Sequence, residues 1–137
     1  MVVDREKIEQ RLLKLEQSVR KLKEIAAQSW EQYSADEALR DRAERNLQVA
    51  AQACIDMANH IIADKGFRTP QGYGESFSVL AQEKVIPALL ADKMRMVAGF
   101  RNILVHDYLE IDNNIVYTTL SHLDDFLHFA EYVYRQL

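Results

Sequence analysis

Apolar residues recur at Ile8, Leu12, Leu15, Val19, Leu22 and Ala26, spaced 4-3-4-3-4, with charged residues filling the other faces. That spacing is the seam of a helix packed in a bundle or coiled coil. Asp4 stands where its carboxylate can cap the free amides, and Val3 and Ile8 occupy the two positions of a hydrophobic staple. Ser34-Ala35-Asp36-Glu37 has the S-x-x-E pattern of a capping box, which predicts a break near Tyr33 and a second helix beyond it. That helix carries Leu39, Ala43, Leu47, Ala50, Cys54, Ile55, Ala58, Ile61 and Ile62, and Gly66 suits the position just past its end.

The stretch from Gly66 to Gly74 is a predicted loop, and a short helix is expected from Glu75 to about Gln82. Pro87 suits the first position of a long helix running toward Tyr108. Its core stripe is expected at Leu89, Val97, Phe100 and Leu104, with a second apolar group, Met94, Ala98 and Val105, beside it. A helix apolar over so wide an arc must cover the excess, and a second copy of the chain is the expected cover. Asp112-Asn113-Asn114 has the chemistry of a turn. The last helix shows Leu120, Leu123, Leu127, Ala130, Tyr134 and Leu137 on one stripe. The expected fold is all-α: an antiparallel, homodimeric bundle of four long helices plus one short helix.

Composition agrees with this pattern. Among 137 residues there are four glycines and two prolines, and Gly66, Gly72, Gly74 and Pro70 fall in one short stretch. The length suits a single domain over residues 1–137. Cys54 is the one cysteine, so neither an internal disulfide nor a multi-thiolate zinc site can form. Met1-Val2-Val3-Asp4-Arg5-Glu6 is charged where a secretory signal would be apolar, and no apolar run approaches the roughly 20 residues of a membrane span. A cytoplasmic protein without a membrane partner is expected. The formal net charge is −4, split as −2 over residues 1–83, +3 over 84–106 and −5 over 107–137. An acidic chain is a poor general binder of nucleic acid, but Lys84, Lys93, Arg95 and Arg101 leave a local phosphate site open.

Chemistry concentrates in Arg101-Asn102-Ile103-Leu104-Val105-His106-Asp107-Tyr108. Within eight residues it holds a permanent cation, an amide, an imidazole and a phenol. Asn102 and His106 are i, i+4 neighbours on a helix, and Arg101 and Tyr108 lie about 20° apart on the helical wheel. A two-fold axis near Arg101 would gather two arginines and two histidines in one cleft. In-line cleavage of RNA needs a proton taken from the 2′-hydroxyl and another delivered to the leaving 5′-oxygen, so two histidines can serve both steps. Paired guanidinium groups supply fixed donors for the transition-state phosphate. The plainer reading is an ordinary helix end, where a histidine suits the dipole and an arginine bridges to an acid.

Other polar groupings point to no site. Asp56 and His60 form a local i, i+4 pair. His122-x-x-Asp125-x-x-His128 diverges by about 120° between its histidines, which suits a solvated face rather than a metal. Gly72-Tyr73-Gly74-Glu75 has no preceding strand and no following Lys-Ser/Thr, so it is loop rather than a phosphate cradle. Cys54 has apolar helical neighbours and is expected in the core.

The run Arg-Asn-x-x-x-His-x-Tyr, at Arg101, Asn102, His106 and Tyr108, resembles the R-x4-6-H signature of the HEPN superfamily in the form found in HepT-like toxins. The helix ending Cys54-Ile55-Asp56-Met57-Ala58-Asn59-His60-Ile61-Ile62, the segment Tyr73 to Ala81 and the approach Ala98-Gly99-Phe100 are similar too. The resemblance implies a homodimeric, metal-independent endoribonuclease with no cofactor, acting as the toxin of a toxin–antitoxin pair. It implies that Arg101 and His106 are catalytic and that Asn102 holds phosphate or histidine. It further implies that Tyr108 accepts AMP groups from an MntA-like minimal nucleotidyltransferase antitoxin. AMP beside the cleft would repel and obstruct RNA. The alternative is a non-catalytic helical partner that docks a nucleotidyltransferase and positions its substrate.

Overall fold

The computed structural model describes residues 4–137, apart from the side chain of Tyr108. The staple residue Val3 therefore lies outside the described residues. Helix α1 spans Arg5–Ala26, with the Asp4 carboxylate accepting the Lys7 amide at 3.3 Å. Its seam of Ile8, Leu12, Leu15, Val19 and Leu22 is buried, and each such side chain contributes roughly 1.5–3 kcal/mol on leaving water. The helix stops earlier than expected. A short helix, α2 (Trp30–Ala35), begins at a capping box formed by Ser29 and Gln32, each side chain accepting the other's backbone amide at 3.1 Å.

The break near Tyr33 is thus the end of α2, and Asp36 rather than Ser34 caps α3 (Glu37–Lys65), accepting the Leu39 amide at 3.1 Å. Gly66 ends α3 at φ 69°, a conformation a side chain would strain. Helix α4 covers Tyr73–Gln82, starting two residues before the expected Glu75. Pro87 sits just ahead of α5 (Ala88–His106) as its cap residue. A 3-10 turn, Tyr108–Glu110, follows. Asp112, expected in a turn, accepts the Asn114 amide at 2.8 Å and starts α6 (Asn113–Thr119). A second 3-10 turn, Leu120–His122, leads into α7 (Asp124–Tyr134).

The architecture is an all-α bundle with no strand among the described residues. The Asp4 amide donates to Asp64 at one end of the α1–α3 pair, while Arg42 meets Glu24 at 3.6 Å at the other, so these two helices run antiparallel. Helices α4 and α5 are also antiparallel: Ser78 lies by Arg95 and Tyr73 by Arg101. Arg5 donates to the carbonyl of Leu137 and Tyr134 to Glu16, which lays α7 antiparallel along α1. Phe77 and Phe129 meet edge-to-face at 5.4 Å in the core, and Cys54 is buried with them. Among the described residues no helix is long and apolar enough to cross a membrane.

Two apolar faces are rotated from their expected positions. On α5 the core takes Leu90, Ala91, Met94, Ala98 and Leu104, and Met94 and Ala98 are 0% and 1% exposed. These two therefore cannot form the dimer contact expected of Met94, Ala98 and Val105; they seal α5 to its own bundle, and Val105 is half-buried. Leu89, expected in the core, is 68% exposed, and Met96 is 75% exposed. On α7 the buried residues are Phe126, Phe129, Ala130 and Val133, while Tyr134 faces solvent and Leu127 is half-buried.

Candidate active site

The last turns of α5 carry Arg101, Asn102 and His106 in helical conformation because nothing in Ala88–His106 breaks the pattern until Asp107. The backbone amide of Asp107 still bonds to Ile103 at 2.9 Å, and the chain then folds into the 3-10 turn headed by Tyr108. The helix thus ends at the histidine, and Tyr108 begins a separate element. The side chain of Tyr108 lies outside the described residues.

Arg101 is held from two sides. Its Nη1 donates to Asn102 Oδ1 at 3.1 Å, and its Cζ lies 5.1 Å from the centroid of the Tyr73 ring. Such a cation–π contact is worth about 0.5–1 kcal/mol where partly solvated. Its Nε is buried and has no hydrogen-bond partner among the described residues. A guanidinium anchored on one edge with a donor left over is arranged to receive an anion. His106 is exposed in the final turn of α5. Arg101 and His106 are five residues apart and leave an α-helix about 140° from each other. No hydrogen bond joins them among the described residues.

Tyr73 falls in the predicted loop, and no sequence signal marks it; the antiparallel pairing of α4 with α5 brings its ring to Arg101. A second group that the sequence does not mark lines a cavity of about 420 Å³ between α1 and α3 that reaches Arg101. It includes Arg11, Lys14 and Arg45 from parts of the chain with no net positive charge. The expected basic segment, by contrast, is dispersed: Arg95 is paired with Asp92, and Lys93 meets Asp125 at 3.7 Å. Asp56 accepts Gln52 at 2.8 Å and faces Arg11 at 3.9 Å, rather than pairing with His60.

His122 and Asp125 line a separate cavity of about 550 Å³, whose walls are mostly apolar: Met96, Val97, Phe100, Ile103, Ile115. Among the described residues no group of three or more His, Cys, Asp or Glu side chains is placed to hold a metal ion. Cys54 is deep in the core, where burial pushes its thiol well above the ordinary range, so it is no nucleophile.

The sequence matches the family described as Ribonuclease HepT-like over residues 15–133. It is 40% identical over 103 residues to an mRNA nuclease HepT of Shewanella oneidensis, covering 74% of this chain and 77% of that protein. The fold superposes on a toxin–antitoxin crystal structure with AMP-PNP at a TM-score of 0.89, with 31% identity, covering 95% of this chain and 98% of that one. It superposes at 0.87 on a tri-AMPylated Shewanella oneidensis HEPN toxin in complex with MNT antitoxin, with 32% identity over 94% of this chain and 97% of that one.

Proposed function

The chain belongs to the HepT-like ribonuclease family, and on that premise we propose that it is an endoribonuclease toxin whose catalytic groups are Arg101 and His106, with Asn102 as support. The observation that carries the reading is the guanidinium of Arg101, steadied by Asn102 and Tyr73 while its buried Nε still points to no protein acceptor. One imidazole takes the proton of the 2′-hydroxyl, and the 2′-oxygen attacks phosphorus. A second imidazole protonates the departing 5′-oxygen. The products are a 2′,3′-cyclic phosphate and a 5′-hydroxyl. Arg101 neutralises the equatorial oxygens as their charge grows. These groups suffice without a metal ion or cofactor.

The roughly 140° between Arg101 and His106 keeps one chain from closing both on one phosphate, and a second copy supplies the missing partner. The chain leaves a stripe of α5 uncovered, Leu89, Met96 and Ile103, which lies nearer His106 than Arg101 round the helix, so the copy packs there against the histidine side. Gly99 is exposed on the same side, and a side chain there would meet nothing within 4 Å of its own chain. A mid-helix glycine costs about 1 kcal/mol against alanine, which close approach of a neighbouring helix offsets.

The toxin works in the cytoplasm and is neutralised by an MntA-like nucleotidyltransferase that places AMP on Tyr108. Each phosphodiester adds about one negative charge, which repels RNA phosphate. Purified protein is expected to cut RNA in the presence of chelator, leaving cyclic phosphate ends, and His106→Ala is expected to lose at least about 100-fold in kcat. Activity that needs added magnesium, cleavage of 2′-deoxy substrate, or an unaffected His106→Ala would refute the reading. In that case the chain would be the non-catalytic docking partner.

A further inference from the structure

The furrow between α1 and α3 is unusual for an acidic protein. Arg11 and Lys14 come from α1, Arg45 from α3 and Arg101 from α5, against a single carboxylate, Asp56. On α3 the residues Arg45, Gln48, Gln52 and Asp56 follow one another at helical spacing on one face, spanning about 16 Å at 1.5 Å per residue. Four buried side-chain atoms lack a hydrogen-bond partner among the described residues, and three of them, Arg11 Nε, Gln52 Oε1 and Arg101 Nε, belong to residues lining this cavity. Buried polar groups left unmatched cost about 1–3 kcal/mol each, so their gathering in one furrow marks a place where a ligand completes them. The two guanidinium Nε–H groups call for an anion, and the Gln52 oxygen, an acceptor, calls for a hydroxyl such as a ribose carries.

We infer that this furrow is a track for the RNA strand, holding phosphates beyond the scissile one and handing the chain to Arg101. The inference rests on the ribonuclease reading above. An extended polyanion fits better than a single phosphate because the cations come from three helices and are strung along the length of α3. The two glutamine amides can donate to phosphate or sugar oxygens without adding charge. Lys14 and Arg45 are exposed at the rim, where they can meet the strand first. Arg11, half-buried, lies deeper beside Asp56 at 3.9 Å.

The test uses full-length protein and a fluorescein-labelled 2′-O-methyl oligouridine, which cannot be cleaved, so binding is read whether or not the chain is a nuclease. Lys14→Gln with Arg45→Gln is expected to weaken binding about tenfold and to flatten the salt dependence by about 1.4, at about 0.7 per lost contact on a single strand. Because both residues are exposed, the fold is expected to survive, which circular dichroism checks. Arg20→Gln with Lys21→Gln removes the same charge from another part of α1, where both are exposed, and is expected to leave binding unchanged. With cleavable RNA, the Lys14/Arg45 variant is expected to raise KM and leave kcat alone. Equal effects from the two pairs would reduce the result to net charge and overturn the track. So would wild-type affinity and salt slope in the Lys14/Arg45 variant, or a loss confined to binding of the nucleotidyltransferase.

Discussion

Tyr33 is fully buried, and its hydroxyl has no partner among the described residues. Its ring packs at 5.2 Å from Tyr117, whose own hydroxyl donates to the Gln28 carbonyl at 2.6 Å. Burial pushes the Tyr33 phenol up to about 12 from 10.0. An unfolded tyrosine therefore ionises near pH 10 while the folded one stays neutral. The neutral-form stability is complete below pH 10 and is lost as pH rises toward 12. Tyr33→Phe is expected to be neutral or stabilising by about 1 kcal/mol in urea at pH 7, and to lose less stability than wild type between pH 10 and 11. Tyr73 carries a different burden. Tyr73→Ala removes the surface under Arg101 without touching the core, and is expected to lower kcat several-fold while the melting temperature holds; an unchanged kcat would show that Asn102 alone positions the guanidinium. The candidate chemistry at this scale is legible in the sequence because Arg101, Asn102 and His106 fall within six residues of one helix. Tyr73 is not, because only the antiparallel α4–α5 pairing brings residue 73 to residue 101.

At the scale of elements, sequence pattern succeeds where one face is apolar and fails where apolar residues surround the helix. Helix α1 is amphipathic, and its seam is buried as spaced. Helix α5 carries apolar residues on most of its circumference, so periodicity does not say which arc meets the bundle; α3 and α4 pack against α5, and the arc with Met94 and Ala98 is the one buried. Ser29-Trp30-Glu31-Gln32 and Ser34-Ala35-Asp36-Glu37 both fit the capping pattern, and the first is used, which inserts α2. The two methionines of α5 give a sharp contrast. Met94→Ala should cost about 2–5 kcal/mol in urea denaturation, because it opens a cavity in a closed core. Met96→Glu should leave monomer stability within about 0.5 kcal/mol, as a surface change does, yet abolish self-association measured by sedimentation. Wild-type association in Met96→Glu would move the dimer contact to another face.

For the whole molecule, the charge sums hid the furrow because its cations are scattered over α1, α3 and α5, each run diluted by acidic neighbours on other faces. Folding segregates what the chain intermixes. The same reasoning applies to the catalytic pair, which one helix holds apart. If Arg101 of one copy works with His106 of another, and one histidine can serve both proton transfers in turn, then Arg101→Ala and His106→Ala, each inactive alone, are expected to complement each other. Refolded together in equal amounts, about half the dimers are mixed by statistics, and a mixed dimer keeps one intact arginine and one intact histidine on opposite chains. The mixture is expected to recover up to about a quarter of wild-type cleavage, depending on how far one histidine can serve both proton transfers. Subunit exchange follows from mass spectrometry of the intact complex, so lack of mixing is seen directly. Mixed dimers that form and stay inactive would mean that one cleft needs both histidines, or that Arg101 and His106 act within a single chain; a fully active heterodimer of wild type with a chain carrying both Arg101→Ala and His106→Ala would single out the second, since that dimer keeps both groups only on one chain.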